Sequence, residues 1–198
     1  MNFNVIIPAR LSSSRLPEKA LADIHGKPMV VRAAEQALQT TAQNVVVACD
    51  DVRIQAACTA HNIRSVLTRT THESGTTRLA EAAQLLNLKD DEIIVNVQGD
   101  EPQMPPKLIE RVAEKLAHSN APMATAAHPV HDFTEFLNPN CVKVVLDKHQ
   151  NALYFSRAPI AYPRDIMRKN QTIIPTPKPL RHIGIYAYRV GFLKQYTA

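Results

Sequence analysis

Apolar positions along this chain fall into two alternating patterns. Phe3-Asn4-Val5-Ile6-Ile7-Pro8, Val45-Val46-Val47-Ala48-Cys49 and Ile93-Ile94-Val95-Asn96-Val97 are short, nearly continuous apolar runs bounded by polar turns. Runs of that length predict strands buried on both faces, as in a parallel sheet. Between them the spacing is helical: Met29, Val30, Ala33, Ala34, Ala37 and Leu38; then Leu79, Ala82, Ala83 and Leu86; then Leu108, Ile109, Val112 and Leu116. Pro105 and Pro106 suit the first turn of the last of these. Strand and helix in alternation predict a right-handed α/β layered fold.

After Asn120 the pattern changes. Met123–Ala127, Val142–Leu146, Ala152–Ser156 and Ile183–Tyr188 read as strands with little helix between them. The stretch Tyr162–Arg181 holds four prolines and reads as a long loop. Val190–Tyr196 opens like a helix. The expected organisation is a nucleotide-binding α/β region over 1–120 and a β-rich region over 121–198 of the same domain.

Charge changes this picture only locally. The net charge of +5 is concentrated in residues 151–198, where eight Lys/Arg face one acid, Asp165. Such a quarter can bind an anionic ligand or form a solvated face. Its bases are not interleaved with aromatics as a nucleic-acid surface would require, so no nucleic-acid partner is expected. No apolar run approaches the ~20 residues of a bilayer span, and Met1–Asn4 offers no basic n-region of a signal peptide. Cys49, Cys58 and Cys141, odd in number and far apart, fit a reducing compartment.

Four constellations carry candidate chemistry. Pro8-Ala9-Arg10-Leu11-Ser12-Ser13-Ser14-Arg15-Leu16-Pro17-Glu18-Lys19 follows the first strand, where open α/β sheets place ligands. Three cations with three serines between them offer phosphates fixed charge, hydroxyls and backbone N–H groups. The alternative is a merely solvated loop. The glycine patterns of a Walker loop or a dinucleotide turn are absent. Gln98-Gly99-Asp100-Glu101-Pro102 follows another strand, and Asp100 reads either as a Mg²⁺ ligand or as a turn cap. In His72-Glu73-Ser74-Gly75-Thr76-Thr77-Arg78, Ser74 or Thr77 can cap a helix, and Arg78 can read a base. Finally, Arg157, Arg181, His182 and Tyr186 can hold a carboxylate and neighbouring hydroxyls, although a lone histidine is more often structural.

Taken together these segments resemble the 3-deoxy-manno-octulosonate cytidylyltransferases (CMP-Kdo synthetases). The resemblance rests on Ile7–Arg10 with Ser13–Pro17, Ile24–Met29, His72–Glu81, Val95–Pro102, Asn138–Asn140 with Val142–Val145, Tyr154–Ile160 and Leu180–Tyr186, in order along nearly the whole chain. It implies a Rossmann-like, glycosyltransferase-A-like three-layer nucleotidyltransferase fold with a mixed, mostly parallel sheet and a smaller β-rich dimerisation and sugar-binding region. It implies a cytoplasmic, Mg²⁺-dependent homodimer that converts CTP and Kdo to CMP-Kdo and pyrophosphate for lipopolysaccharide assembly. Carried over by position, Ala9, Arg10, Ser13, Arg15 and Lys19 would hold the triphosphate. Ser74, Gly75, Arg78 and Gln98 would read cytosine, and Asp100 would bind Mg²⁺. Arg10, Lys19 and Asp100 would be catalytic, and Arg157, His182 and Tyr186 would hold the sugar acid.

Two departures from the family pattern bear on these expectations. Glu18 stands where the family usually has glycine before the loop lysine. Family members also continue past Ala198 into a helical segment and a Gly-Val-Asp turn that supplies a second Mg²⁺ ligand. On that pattern residues 1–198 alone are expected to be weakly active or inactive. Other readings are a nucleotidyltransferase for sialic acid or a sugar phosphate, and a nucleotide-binding remnant without turnover.

Overall fold

A computed structural model describes residues 1–13, 16–169 and 173–197. The chain forms two compact units, Met1–Ala124 with Ile185–Ala198, and Thr125–Gly184. The expected division at residue 120 placed everything beyond it together. Instead, the chain returns to the first unit at Ile185. The physical reason is strand pairing: Tyr186–Arg189 lies antiparallel to Ile93–Asn96 and closes that unit's sheet.

In the first unit the three apolar runs form β1 (Asn4–Ala9), β4 (Asn44–Cys49) and β6 (Ile93–Asn96), with β2 (Asp23–Ile24) and β3 (Lys27–Pro28) as a small separate hairpin. β1 pairs in parallel with both β4 and β6, and β5 (Ser65–Leu67) adds in parallel outside β4. Val5, Ile6 and Ile7 are all fully buried, so both faces of β1 are covered. Helices α1 (Met29–Ala37), α2 (Val52–Ala60), α3 (Gly75–Leu85) and α4 (Pro106–Ala117) alternate with the strands. α7 (Val190–Tyr196) packs beside α3, where Leu79, Ala82, Ala83 and Leu193 meet Ile6, Ile94 and Tyr188 in one apolar cluster.

Local chemistry sets the helix ends. Ser74 accepts a hydrogen bond from the Thr77 N–H at the start of α3, and Asp51 does the same from Arg53 for α2. At the other end of α4 the Arg189 guanidinium donates to the Leu116 and Ser119 carbonyls, a cation at the negative end of a helix.

The second unit contains the latter part of β7 (Met123–Pro129), α5 (Phe133–Leu137), β8 (Lys143–Leu146), β9 (Ala152–Ser156), α6 (Arg164–Arg168) and the first half of β10 (Leu180–Arg189). β8 pairs antiparallel with β9 and with Leu180–Arg181 of β10. The expected loop Tyr162–Arg181 therefore contains a short helix, begun in the turn after Pro163. Lys143 is fully buried here, and its Nζ donates to the carbonyls of Asn138, Cys141 and Arg157 at 3.0, 2.6 and 2.8 Å. Three backbone acceptors replace the water that a buried ammonium loses.

Among the described residues no helix is long and apolar enough to cross a membrane. The three cysteines are free and buried, and burial pushes the Cys58 thiol up to about 12.

Candidate active site

β1 and β6 both end at the same edge of the first unit's sheet. Their loops approach closely there: a Cβ on Gly99 would lie 3.0 Å from the Pro8 carbonyl oxygen, a tight contact that favours glycine at that crossing. The N-terminus of α3 rises beside them, with Gly75 against the Pro8 ring. Together these segments enclose a cleft of about 400 Å³.

All the described residues assigned to the nucleotide line this cleft: Ala9, Arg10, Ser13, Lys19, Ser74, Gly75, Arg78, Gln98 and Asp100. Arg15 lies outside the described residues. Lys19 and Asp100 come from different loops and meet as an ion pair at 2.5 Å, both partly exposed to the cleft. Arg10 and Lys19 supply positive charge and Asp100 a carboxylate, in a space bounded by α3's N-terminal turn.

The walls of the cleft are held by buried charge. Arg78 is almost fully buried, and its guanidinium donates to Asp50 Oδ2 at 3.0 Å and to Thr68 Oγ1 at 2.7 Å. The other oxygen of Asp50 accepts the Leu11 N–H at 2.9 Å. One carboxylate thus ties the start of the loop after β1 to α3. Arg78 lines the cleft but its first commitments are internal, so any base contact uses what remains of its donors. His72 pairs with Glu81 at the cleft's rim. Burial opposes charge on Glu81, but the hydrogen bond from His72 and the one from the Arg69 N–H prevail and hold its carboxyl below the usual range.

Glu18 sits in the left-handed region at φ 53°, which favours glycine. Its carboxylate turns to Arg53 at 2.6 Å. The loop after β1 thus keeps its acid paired with a base from α2.

The acceptor residues do not fall in one unit. Tyr186 belongs to the first, on β10 directly opposite Asn96 of β6, where burial raises its phenol's pKa. Arg157 and His182 belong to the second. The Arg157 guanidinium donates to the Pro139 carbonyl at 2.8 Å, while its own carbonyl accepts from Lys143. The His182 Nε2 lies 2.9 Å from Thr125 Oγ1, and the Phe155 ring meets the imidazole edge-on at 5.0 Å. Burial lowers the pKa of His182 and favours the neutral imidazole. Arg181 pairs with Glu135 at 2.7 Å.

Sequence reasoning passed over Asp50, Thr68 and His72. The signal for Asp50 was present: it follows a buried strand just as Asp100 does. Thr68 gave none, because its role depends on Arg78 folding back over it.

Comparison with known proteins fits this geometry. A family model described as "Cytidylyltransferase" matches residues 4–198. A 3-deoxy-manno-octulosonate cytidylyltransferase of Neisseria meningitidis serogroup A is 64% identical over 196 residues, 98% of this chain and 78% of the relative. The chain belongs to that cytidylyltransferase family. A relative of the same name from Herminiimonas arsenicoxydans is 54% identical over 197 residues, 99% of this chain and 78% of its own length. Among solved structures, a CMP:2-keto-3-deoxy-manno-octonic acid synthetase complexed with CTP superposes with a TM-score of 0.88 at 41% identity, covering 99% of this chain and 77% of that one. A 4-diphosphocytidyl-2C-methyl-D-erythritol synthase, at 14% identity and a TM-score of 0.61, shares the fold over 100% of this chain and 79% of its own. The mixed, mostly parallel, Rossmann-like nucleotidyltransferase fold is thus that of the cytidylyltransferases.

Proposed function

We propose that this cytidylyltransferase transfers CMP from CTP to 3-deoxy-D-manno-octulosonate, giving CMP-Kdo and pyrophosphate for lipopolysaccharide biosynthesis. The single observation that carries the site assignment is the cleft at the edge of the first unit's sheet, where Arg10, Ser13, Lys19, Gln98 and Asp100 converge. The anomeric hydroxyl of the sugar acid attacks the α-phosphorus, the bond to pyrophosphate breaks in line, and the hydroxyl proton is lost. Such chemistry needs positioning and charge neutralisation more than covalent assistance.

Arg10 and Lys19 neutralise the triphosphate, and Ser13 adds a hydroxyl donor. Gln98, the Ser74–Gly75 turn and the remaining donors of Arg78 read the base. Of the residues proposed for the acceptor, Arg157, His182 and Tyr186, Arg157 supplies the charge, because the half-buried His182 imidazole is a neutral donor or acceptor.

Among the described residues no group of three or more His, Cys, Asp or Glu side chains gathers around a metal position. One carboxylate beside a phosphate site nevertheless suits Mg²⁺, which keeps waters and phosphate oxygens as its other ligands. Asp100 would hold it, with Lys19 transferring its contact to the phosphates. When bound, the ion supplies a Lewis acid on the phosphates.

The enzyme acts in the cytoplasm as a homodimer. Support for the dimer comes from β9, an edge strand that exposes Leu153, Tyr154 and Phe155. A long apolar edge is normally covered.

Pyrophosphate release from CTP, measured with Kdo, a sialic acid and a sugar phosphate as acceptors, tests the assignment. Release with Kdo above that with either other acceptor, at whatever absolute rate, is expected. Preference for either of the others, or CTP binding without turnover, refutes it.

A further inference from the structure

Next to the nucleotide cleft lies a second cavity of about 310 Å³, and the two share Gly75 and Gln98 as lining residues. Its walls are aromatic: Tyr186, Tyr188, Phe192 and Tyr196 contribute rings. Tyr186 stacks near Tyr188 at 6.0 Å, and Phe192 near Tyr196 at 5.8 Å. Among the described residues, none that lines it is charged. A phosphate would find no counter-charge there. A polyhydroxylated ring would find apolar faces of the right kind and volume.

In this cavity one group stands out. Asn96 ends β6 and occupies the centre of the sheet, opposite Ile6 of β1 and Tyr186 of β10. It is about 98% buried by relative exposure of 2%, and its Oδ1 has no hydrogen-bond partner among the described residues. The preceding residues of β6 are Ile93, Ile94 and Val95, so an aliphatic side chain would extend the strand's pattern without penalty. Leaving an amide oxygen buried and unpaired costs folding free energy, and native proteins rarely do so without a reason. Asn96 is among the residues lining the cavity, together with Gln98 and Tyr186.

We propose that Asn96 is a specificity-determining residue for the acceptor: its Oδ1 accepts a hydrogen bond from one hydroxyl of the sugar acid. This rests on the reading of the chain as a nucleotidyltransferase to a sugar acid, and adds to it a contact that discriminates among such acids. A site that hydrogen-bonds a substrate hydroxyl rejects analogues lacking it, because the buried partner is then left unpaired. The unpartnered oxygen is the cost carried by the free protein, and the acceptor relieves it.

Steady-state kinetics on the full chain test this, using wild type, Asn96→Leu and Asn96→Ser. The acceptors are Kdo and a series of its singly deoxygenated analogues. CTP affinity is measured in parallel by calorimetry, and folding by denaturation midpoint. Asn96→Leu is close in size, and Asn96→Ser is too short to reach if leucine does not fold. The expected result is a KM for Kdo raised about tenfold in the variants, with CTP affinity unchanged. One deoxy analogue should show a similar rise with wild type and no further rise with the variant, as coupled partners do in a cycle. If every analogue loses equally in the variant, or if CTP affinity falls with KM, the amide does not read an acceptor hydroxyl and the proposal is overturned. Absence of wild-type turnover with Kdo overturns the functional reading and this proposal together, which separates the two failures.

Discussion

At the scale of single residues, the site is organised by side chains that do not themselves need to touch substrate. Asp50 accepts from both Leu11 and Arg78, and its side chain is only 8% exposed. Asp50→Asn keeps an acceptor for the loop N–H but leaves the Arg78 charge buried without its counter-charge. Removing one partner of a buried pair costs roughly 3–5 kcal/mol. The variant is expected to lose stability on that scale in urea titration and to bind CTP more weakly, since the loop start is no longer tied to α3. Glu18 predicts the opposite sign. A residue with a Cβ at φ 53° carries a local cost of about 1 kcal/mol that glycine avoids. The ion pair to Arg53 is exposed and contributes little against it. Glu18→Gly should therefore raise the denaturation midpoint while leaving CTP affinity intact. His182 sets a pH dependence. Burial lowers its pKa below the ordinary 6.5, so the unfolded chain binds its proton at a higher pH than the folded chain does. Its contribution to stability is fully present above about pH 6.5 and is lost as pH falls through the depressed folded value. Denaturant midpoints measured between pH 7.5 and 5 should fall more steeply in wild type than in His182→Gln.

At the scale of elements, what could be read from sequence depended on whether an element's environment was itself periodic. β1, β4 and β6 were legible because strands covered on both faces must be apolar at every position, and Val5–Ile7 and Val45–Cys49 are. α1, α3 and α4 were legible because each turns one stripe toward that sheet. α2 was not: only Ile54 and Cys58 are buried on it, too few to show a helical period. Its start is marked by the Asp51 cap instead, which gives a boundary but no face. β5 is three residues long, and β2 and β3 are two each, below the length at which alternation can be seen. For the site, the chemistry of Arg10, Lys19 and Asp100 was visible as charge at strand ends. The pairing of Lys19 with Asp100 and of Arg78 with Asp50 was not, since each partner lies tens of residues away in sequence. Lys143 shows the same limit. It sat in a quoted motif without a role, yet in the fold it bonds the 138–141 turn to the carbonyl of Arg157. Lys143→Met removes three charge-assisted hydrogen bonds and leaves three carbonyls to find other donors, a loss on the order of 3 kcal/mol or more. Hydrogen exchange should show β8 and β9 losing protection in that variant, with β1 and β4 unchanged.

At the scale of the whole molecule, the two units expose different kinds of surface. The central strands β1, β4 and β6 of the first unit have buried apolar side chains, and its exposed strand apolars are Leu67 and Met123 near the sheet's margins. In the second, β9 presents Leu153 and Tyr154 at 64% and 63% exposure, with Phe155 at 41%. Among the described residues β9 pairs with β8 alone, so its other edge offers backbone groups as well as apolar side chains. Both features favour burial against a second chain. A twofold-symmetric partner is the simplest, because a strand edge can pair with its own copy and close the assembly. Substituting Leu153→Lys and Tyr154→Lys puts like charges opposite each other across such an edge and removes apolar area from it. The doubly substituted chain is expected to sediment as a monomer where wild type sediments as a dimer, with its thermal unfolding no longer dependent on protein concentration. A dimer that survives both lysines would place the subunit contact on another surface. A wild type that is monomeric at micromolar concentration would leave the β9 edge as a site for a different partner.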